Sequence, residues 1–320
     1  MNAVSFDQLA ARYGRELRLH CYRMTGSLAD AEDLAQDALL KAWEARDGFE
    51  GRASVRTWLY RIATNTCLHA LEKRKVRDLP HARAPAGDPR QPPAPAEDEA
   101  LFLDPCPDAW WQDAPLAPEA RLAARESVAL AFLAALQHLP PLQRAVVILR
   151  EVLGFSAAEA AAALDTTDAA INSALQRARA TLEARRDALD SGHVLSPEDE
   201  TVHALLRRYV AAWEAGDAAQ LVALLREDAR FTMPPVPTWF SGRDAIIAFL
   251  TPLLRTMGPF QLVPCTASGQ PALAAYLKAP DGWVAQALHV LAVVPDGGVL
   301  AADVFMKPGL FKHFGLPFRR

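Results

Sequence analysis

The sequence predicts a multidomain chain: two all-α blocks, the second a helix-turn-helix, joined by a proline-rich linker and followed by an α+β block. Three observations carry that prediction. Apolar residues recur at three- and four-residue steps before Asp78 and again after about residue 125. Between Pro80 and Pro118 stand ten prolines, with Asp88, Glu97, Asp98, Glu99, Asp104, Asp108 and Asp113 among them. After Thr201, short apolar runs are separated by Asp–Gly turns. The boundaries expected are 1–78, a linker over 79–124, 125–190 and 200–320.

In the first block Phe6, Leu9, Tyr13, Leu17, Cys21 and Met24 share one helical face, and Gly26 ends that helix. Ser27 with Asp30 opens the next in a near capping box. A third helix starts near Ser54, with Val55, Leu59, Ile62 and Thr66 on one side. The linker composition cannot hold a packed core, which predicts an extended, partly disordered spacer. Trp110–Trp111 is unusual for a spacer and suggests docking on the C-terminal block.

Beyond the linker come VALAFLAALQHL, the Pro140–Pro141 break and LQRAVVILREVLG. Ser156 and Glu159 then make a full capping box before AAAAL. The turn LDTTD offers Thr166 or Thr167 as the next cap, with Asp168 at the positive end of the helix. Breaks at Gly192 and Pro197 mark a boundary. In the last block two helices precede the strand-like runs ARFTM, QLVPCTA, ALAAYLK, WVAQALHVLAVV and VLAADVFM, expected to form an antiparallel sheet. Asp281–Gly282 and Asp296–Gly297–Gly298 read as hairpin turns.

The chain has 320 residues, half of them hydrophobic, and a formal net charge of −4, which argues against indiscriminate coating of nucleic acid. Charge is nevertheless local. In Asp165–Arg186, Ile171, Ala174, Leu175, Ala178 and Leu182 take the inward stripe, leaving Asn172, Ser173, Gln176, Arg177 and Arg179 outward. Those side-chain types read base edges in the major groove, and Arg185 and Arg186 follow. Gly51–Arg77 carries seven basic residues against Glu72 alone, with Trp58 and Tyr60 interleaved. That pattern suits single-stranded nucleic acid, whose phosphates are neutralised while bases stack. The helix before it is opposite in sign: Asp30, Asp33 and Asp37 lie on one face and Ala31, Leu34, Ala35, Ala38 and Ala42 on the other.

No basic-then-apolar leader opens the chain and no run approaches a membrane span, so a cytoplasmic protein without a membrane partner is expected. Cys21, Cys67, Cys106 and Cys265 stand far apart, as ordinary reduced thiols, with no metal site or other cofactor implied.

DAEDLAQDALLKAWE, RTWLYRIATNTCL and LPPLQRAVVILREVLGFSAAEAAAAL together closely resemble sigma-70 family factors of the extracytoplasmic-function (ECF) group, over about residues 6–78 and 126–188. The resemblance implies two helical domains that bind core RNA polymerase, through its β′ and β subunits, and promoter DNA. Asp30, Asp33 and Asp37 would face the polymerase. Arg52, Arg56, Tyr60, Arg61, Asn65, Lys73 and Arg74 would handle the −10 element, and Asn172, Ser173, Gln176, Arg177 and Arg179 the −35 element. His69 departs from the acid common in the family, and the linker is much longer than the minimal kind.

The last block is similar to SnoaL-like, nuclear-transport-factor-2-like cones, which implies a regulatory extension with a pocket for a candidate small-molecule ligand. Alternation places Trp283, Ala285, Ala287, His289 and Leu291 on one face and Ala301, Asp303 and Phe305 on another. If both point inward, His289 and Asp303 form an acid/base pair. Trp239 and Tyr276 complete the candidate pocket, and MPPVPTWF reads as a loop at its mouth or against the helical blocks. A binding role outweighs catalysis, so no enzyme is expected. Two other readings stay open: a ligand-sensing helix-turn-helix regulator, and a polyketide-cyclase-like enzyme fused to a DNA-binding module.

Overall fold

The computed structural model describes residues 3–51, 53–72, 74–112, 118–184 and 194–320. The chain divides into two compact units, Met1–Arg77 with Trp110–Asp190 and Asp78–Ala109 with Ser191–Arg320. Among the described residues no helix is long and apolar enough to cross a membrane.

The first unit is all helical: α1 (Ala3–Thr25), α2 (Leu28–Glu44) and α3 (Val55–Leu71), then α5 (Pro118–Glu126), α6 (Leu130–Gln137), α7 (Pro141–Val147), α8 (Ala157–Leu164) and α9 (Asp168–Glu183). The short α4 (Pro80–Arg83) belongs to the other unit. Four of the starts are capped by a side chain. Gly26 takes φ 71° and stops α1, and Ser27 then accepts the amide of Asp30. Ser54 accepts the amide of Thr57. Ser156 and Glu159 close a reciprocal capping box, with bonds of 3.1 and 2.8 Å. Asp165 ends α8 in the left-handed region, and Thr167, one of the two expected caps, starts α9 by accepting the amide of Ala170. Past Val147 the α7 helix widens into a π turn over Ile148–Val152.

The second unit has α10 (Glu200–Glu214), α11 (Ala218–Val222) and α12 (Arg243–Thr256) against a six-stranded sheet. Its strands are β1 (Leu225–Met233), β2 (Val236–Ser241), β3 (Phe260–Ala267), β4 (Gln270–Ala279), β5 (Gly282–Val293) and β6 (Val299–Phe305), in the order β2-β1-β6-β5-β4-β3. The sheet is mixed: β1 lies parallel to β6. The expected wholly antiparallel sheet is therefore corrected: β2 and the single helix α12 separate β1 from β3, and the last strand, β6, comes back to lie beside β1. VPTWFS, expected as loop, is strand β2, paired with β1 through Phe231–Phe240 and Thr232–Trp239. Both Asp–Gly turns close hairpins. Gly282 has a further reason: a Cβ there would stand 2.5 Å from the carbonyl oxygen of Arg320, whose amide bonds back to Trp283.

The linker is not a free spacer. Residues 78–109 form a strap built into the second unit. Gly87 donates to the Trp239 carbonyl, Ala94 to the Thr238 hydroxyl, Glu97 to the Pro235 carbonyl, and Ser268 to the Cys106 carbonyl. Phe102, Leu103 and Cys106 are fully buried. Proline removes amide donors, so the strap forms no regular strand, yet its remaining donors find partners on the sheet edge and hairpin ends. Trp110 likewise departs from expectation: it packs in the helical unit, edge-on to Tyr22 and under the Arg18 guanidinium.

Candidate polymerase and nucleic-acid surfaces, and the cone interior

On α9 the inward stripe Ile171, Ala174, Leu175 and Ala178 is buried, and Asn172, Ser173, Gln176, Arg177 and Arg179 are all exposed. Arg179 is engaged: its Nε donates to Glu151 at 2.6 Å. The other four form the open face that base reading requires. Arg185 and Arg186 lie outside the described residues.

The basic helix α3 is placed differently. Tyr60 is fully buried, edge-on to Phe155 at 5.3 Å and to His20 at 5.1 Å. Burial, with Glu16 nearby, pushes its phenol pKa up. Arg56 donates to the Leu153 carbonyl at 3.0 Å and stacks over Phe155 at 4.4 Å, and Arg61 lies 3.5 Å from Asp165. The segment between α7 and α9 thus covers the side of α3 that was expected to meet the −10 element. Tyr60 as an open DNA contact is corrected for this arrangement: a phenol ring fills the interface more profitably than it stands in water. Asn65 stays exposed, while Arg52 and Lys73 lie outside the described residues.

Two further bonds cross between the blocks, and Arg144 is itself steadied within its own block by Gln137. Arg23 donates to Ser127 Oγ at 2.6 Å, and Arg144 donates to the Met24 carbonyl and to Gln137 Oε1. Arg144 is buried, which lowers its pKa to about 10. On α2, Asp33 and Asp37 are exposed, but Asp30 pairs with Arg74 and, at 2.7 Å, with Arg77. Two residues expected to serve different partners, Asp30 and Arg74, are therefore bound to each other.

The cone corrects the pocket. In the β5–β6 register Val290, not His289, opposes Asp303, so the two side chains leave opposite faces of the sheet. They form no acid/base pair. Asp303 accepts from Thr232 Oγ1 at 2.7 Å on the face carrying the strap. Tyr276 is on that face too, donating to the Pro317 carbonyl and packed on Phe311. Trp239 Nε1 donates to Ala84 in the strap at 2.7 Å. A register shift between Ala275 and Tyr276 also splits the face expected for β5: Ala285 pairs with Tyr276, whereas Ala287 pairs with Ala275 in the core. A bulge has no period-2 signature, so alternation alone cannot reveal it.

Of the four pocket residues only His289 faces the core. Its Nδ1 lies 3.1 Å from the Tyr209 hydroxyl, and its ring is 4.9 Å from that of Trp213. Burial lowers its pKa to about 3, so the ring is neutral at physiological pH. Tyr209 and Trp213 were legible as apolar-stripe residues of α10; their shared depth with His289 was not. On the strap side the structure adds Lys307, buried and 2.5 Å from Asp104, and His81, whose pKa burial lowers to about 4.

A helix-turn-helix with an open polar face, packed in one unit with a helix bearing a one-sided acidic stripe, has the architecture of a DNA-binding protein. Residues 9–77 match sigma-70 region 2, 129–182 match sigma-70 region 4, and 206–301 match the SnoaL-like domain. The chain is 46% identical to the ECF RNA polymerase sigma factor SigG of Mycobacterium tuberculosis over 308 residues, 95% of this chain and 82% of the relative. With SigJ of the same organism it shares 31% over 314 residues, 93% and 91% of the two chains. The crystal structure of SigJ superposes with a TM-score of 0.58 and 25% identity, covering 95% and 98%. The chain belongs to the ECF group of RNA polymerase sigma factors. Sigma factors bind core RNA polymerase and promoter DNA.

Proposed function

We propose that the outward acids of α2, Asp33 and Asp37, meet the β′ subunit of core polymerase, that α3 handles the −10 element, and that α9 reads the −35 element. The β subunit would receive the region 4 block. The closed unit must then part, because Arg56 and Tyr60 are occupied by Leu153 and Phe155. The SnoaL-like unit is read as a regulator and not as an enzyme, since its His289 and Asp303 lie on opposite sheet faces. The protein is read as acting in the cytoplasm, where polymerase is.

The observation that carries the regulatory reading is the strap. The segment joining the two sigma regions is anchored to the C-terminal unit by the buried Lys307–Asp104 pair and the Trp239–Ala84 bond. Its two ends continue directly into the helical unit at Arg77 and Trp110. A change in how the cone holds the strap therefore alters the length of chain free between the DNA-reading regions, at the high effective concentration that tethering gives. Lys307→Ala leaves Asp104 buried without its cation, which is strongly destabilising locally. Transcription from a defined promoter by core polymerase plus the full chain should change at least severalfold with Lys307→Ala, in the same direction as with Asp104→Ala. Equal transcription by all three proteins would remove the strap from the regulatory reading. Failure of the unaltered chain to support promoter-dependent transcription would remove the larger reading.

A further inference from the structure

Cys21 and Cys67 stand far apart in the chain and together in the fold. One is on α1 and the other on α3, both are fully buried free thiols, and their side chains hydrogen-bond to each other. Beside them the same two helices are joined again, by the 2.9 Å bond between His20 Nε2 and Thr64 Oγ1. The bond to Cys67, and then burial, push the Cys21 thiol well above its ordinary pKa. A thiol so placed is inert to oxidants while the unit stays shut.

What shuts it is the block that follows the linker. Cys67 falls at helical spacing from Arg56, Tyr60 and Thr64, on one stripe of α3. Leu153 and Phe155 cover the first two of these, and α7 and α8 pack on the same helix. Arg144 of α7 interacts electrostatically with Cys67 and donates to the carbonyl of Met24, about one turn past Cys21. The two thiols therefore lie at the seam where α7 meets α1 and α3.

We propose that Cys21 and Cys67 are a redox-modification site, which hydrogen peroxide converts to a disulfide joining α1 to α3 when the covering block lifts. One sulfur, as its thiolate, takes an oxygen from the peroxide. The O–O bond breaks, and the departing hydroxide leaves as water with the proton that this thiol gave up. The second sulfur then attacks the sulfenic acid: the S–S bond forms, the S–O bond breaks, and a second water carries off the second thiol's proton. The two sulfurs lose two electrons in all, and the peroxide receives them. Because the second thiol is already in contact with the first, the sulfenic acid meets a thiol before it meets more peroxide. The cross-link ties helices of the first block only, so the covering block stays free to move. The exposure step rests on the parting of the unit proposed above; the thiol contact does not.

The test uses peroxide on the full chain and not transcription, so its failure leaves the sigma-factor reading intact. After exposure, remaining thiols are blocked with iodoacetamide and the chain is cut with trypsin without reduction. Peptides Leu19–Arg23 and Ile62–Lys73 should be found joined, lighter than their sum by two hydrogens, and dithiothreitol should separate them. Cys106 and Cys265, which belong to the other unit, should be recovered as separately blocked thiols. Phe155→Ala, which removes the ring lying on Tyr60, should speed the joining at least fivefold. Phe155→Leu, a milder cut that keeps an apolar side chain there, should fall between that variant and the unaltered chain. The proposal is overturned if Cys21 and Cys67 come back blocked and unlinked from all three proteins, or oxidised past the sulfenic acid without being joined. It is equally overturned if neither variant joins them faster than the unaltered chain, since the cover would then play no part.

Discussion

The outward face of α9 and the basic face of α3 look alike in sequence, each a helical stripe rich in arginine and in polar or aromatic side chains. In the folded unit they are opposites. Asn172, Ser173, Gln176 and Arg177 stand open to solvent, while Tyr60 is sealed and Arg56 is bonded to the chain that precedes α8. On the proposed roles, one surface is open for DNA and the other is covered. Composition sets which ligand a face suits, and packing sets whether the face is available.

The largest effect that would break this contrast is Phe155→Ala. The ring is buried against Tyr60 and Arg56, and truncating a buried phenylalanine typically costs about 3–5 kcal/mol. Amide exchange should accelerate along the Tyr60 side of α3, and binding of −10-type single strands by the free protein should rise. Unchanged exchange in α3 would show that closure rests on other contacts.

On the open face, Arg177→Ala should weaken binding to a correct −35 element by about 1–3 kcal/mol and relax preference at one base pair. Stability should hold within about 0.5 kcal/mol, as for other exposed sites. Competition with base-substituted elements checks both; a loss independent of sequence would assign Arg177 to phosphate instead.

Acid should act on the closed side. His20, buried beneath Tyr60 and 2.9 Å from Thr64 Oγ1, has its pKa lowered to about 3 by burial, with help from Arg23. The unfolded chain takes up this proton near pH 6.5 and the folded chain does not. The contribution is therefore present above pH 6.5 and is lost as pH falls, at about 1.4 kcal/mol per pH unit for this one group. Urea midpoints of the unaltered chain between pH 5.5 and 4.5 should fall more steeply than those of His20→Gln. Parallel slopes would mean that His20 is already charged in the fold.

The smallest effect belongs to Arg61→Ala. Its pair with Asp165 is solvent-exposed, and such pairs are worth about 0–1 kcal/mol. Exchange in α3 should stay as it was. A large opening would show that this surface pair, and not the Phe155–Tyr60 contact, holds the unit shut.

What could be read along the chain was local. The caps Ser27, Ser54, Ser156 and Thr167, the inward stripe of α9 and the Asp–Gly hairpins depend on residues within a few positions of one another, and they fold as their neighbours dictate. The family motifs were equally legible, because each is one unbroken stretch of chain: two sit on single helices and the third runs from α7 through the π turn into α8. The strap was not: its prolines and acids describe a spacer, and its anchors, Lys307, Trp239 and Ser268, lie 130 or more residues away.

The cone shows the same division at finer scale. The sequence by itself determined that His289 and Asp303 lie in strands, and that α9 turns Asn172, Ser173, Gln176 and Arg177 to solvent. Only the tertiary structure decided that a bulge in β5 and the register with β6 send His289 inward to Tyr209 and Trp213 and Asp303 outward to Thr232. Side chains alternate along a strand, so a displacement of one residue reverses the face of everything beyond it. The same holds for Tyr60, whose aromatic ring suits a base or a core equally well. The choice fell to Phe155, which lies 95 positions further along the chain and is brought to it by the packing of α3 on α8.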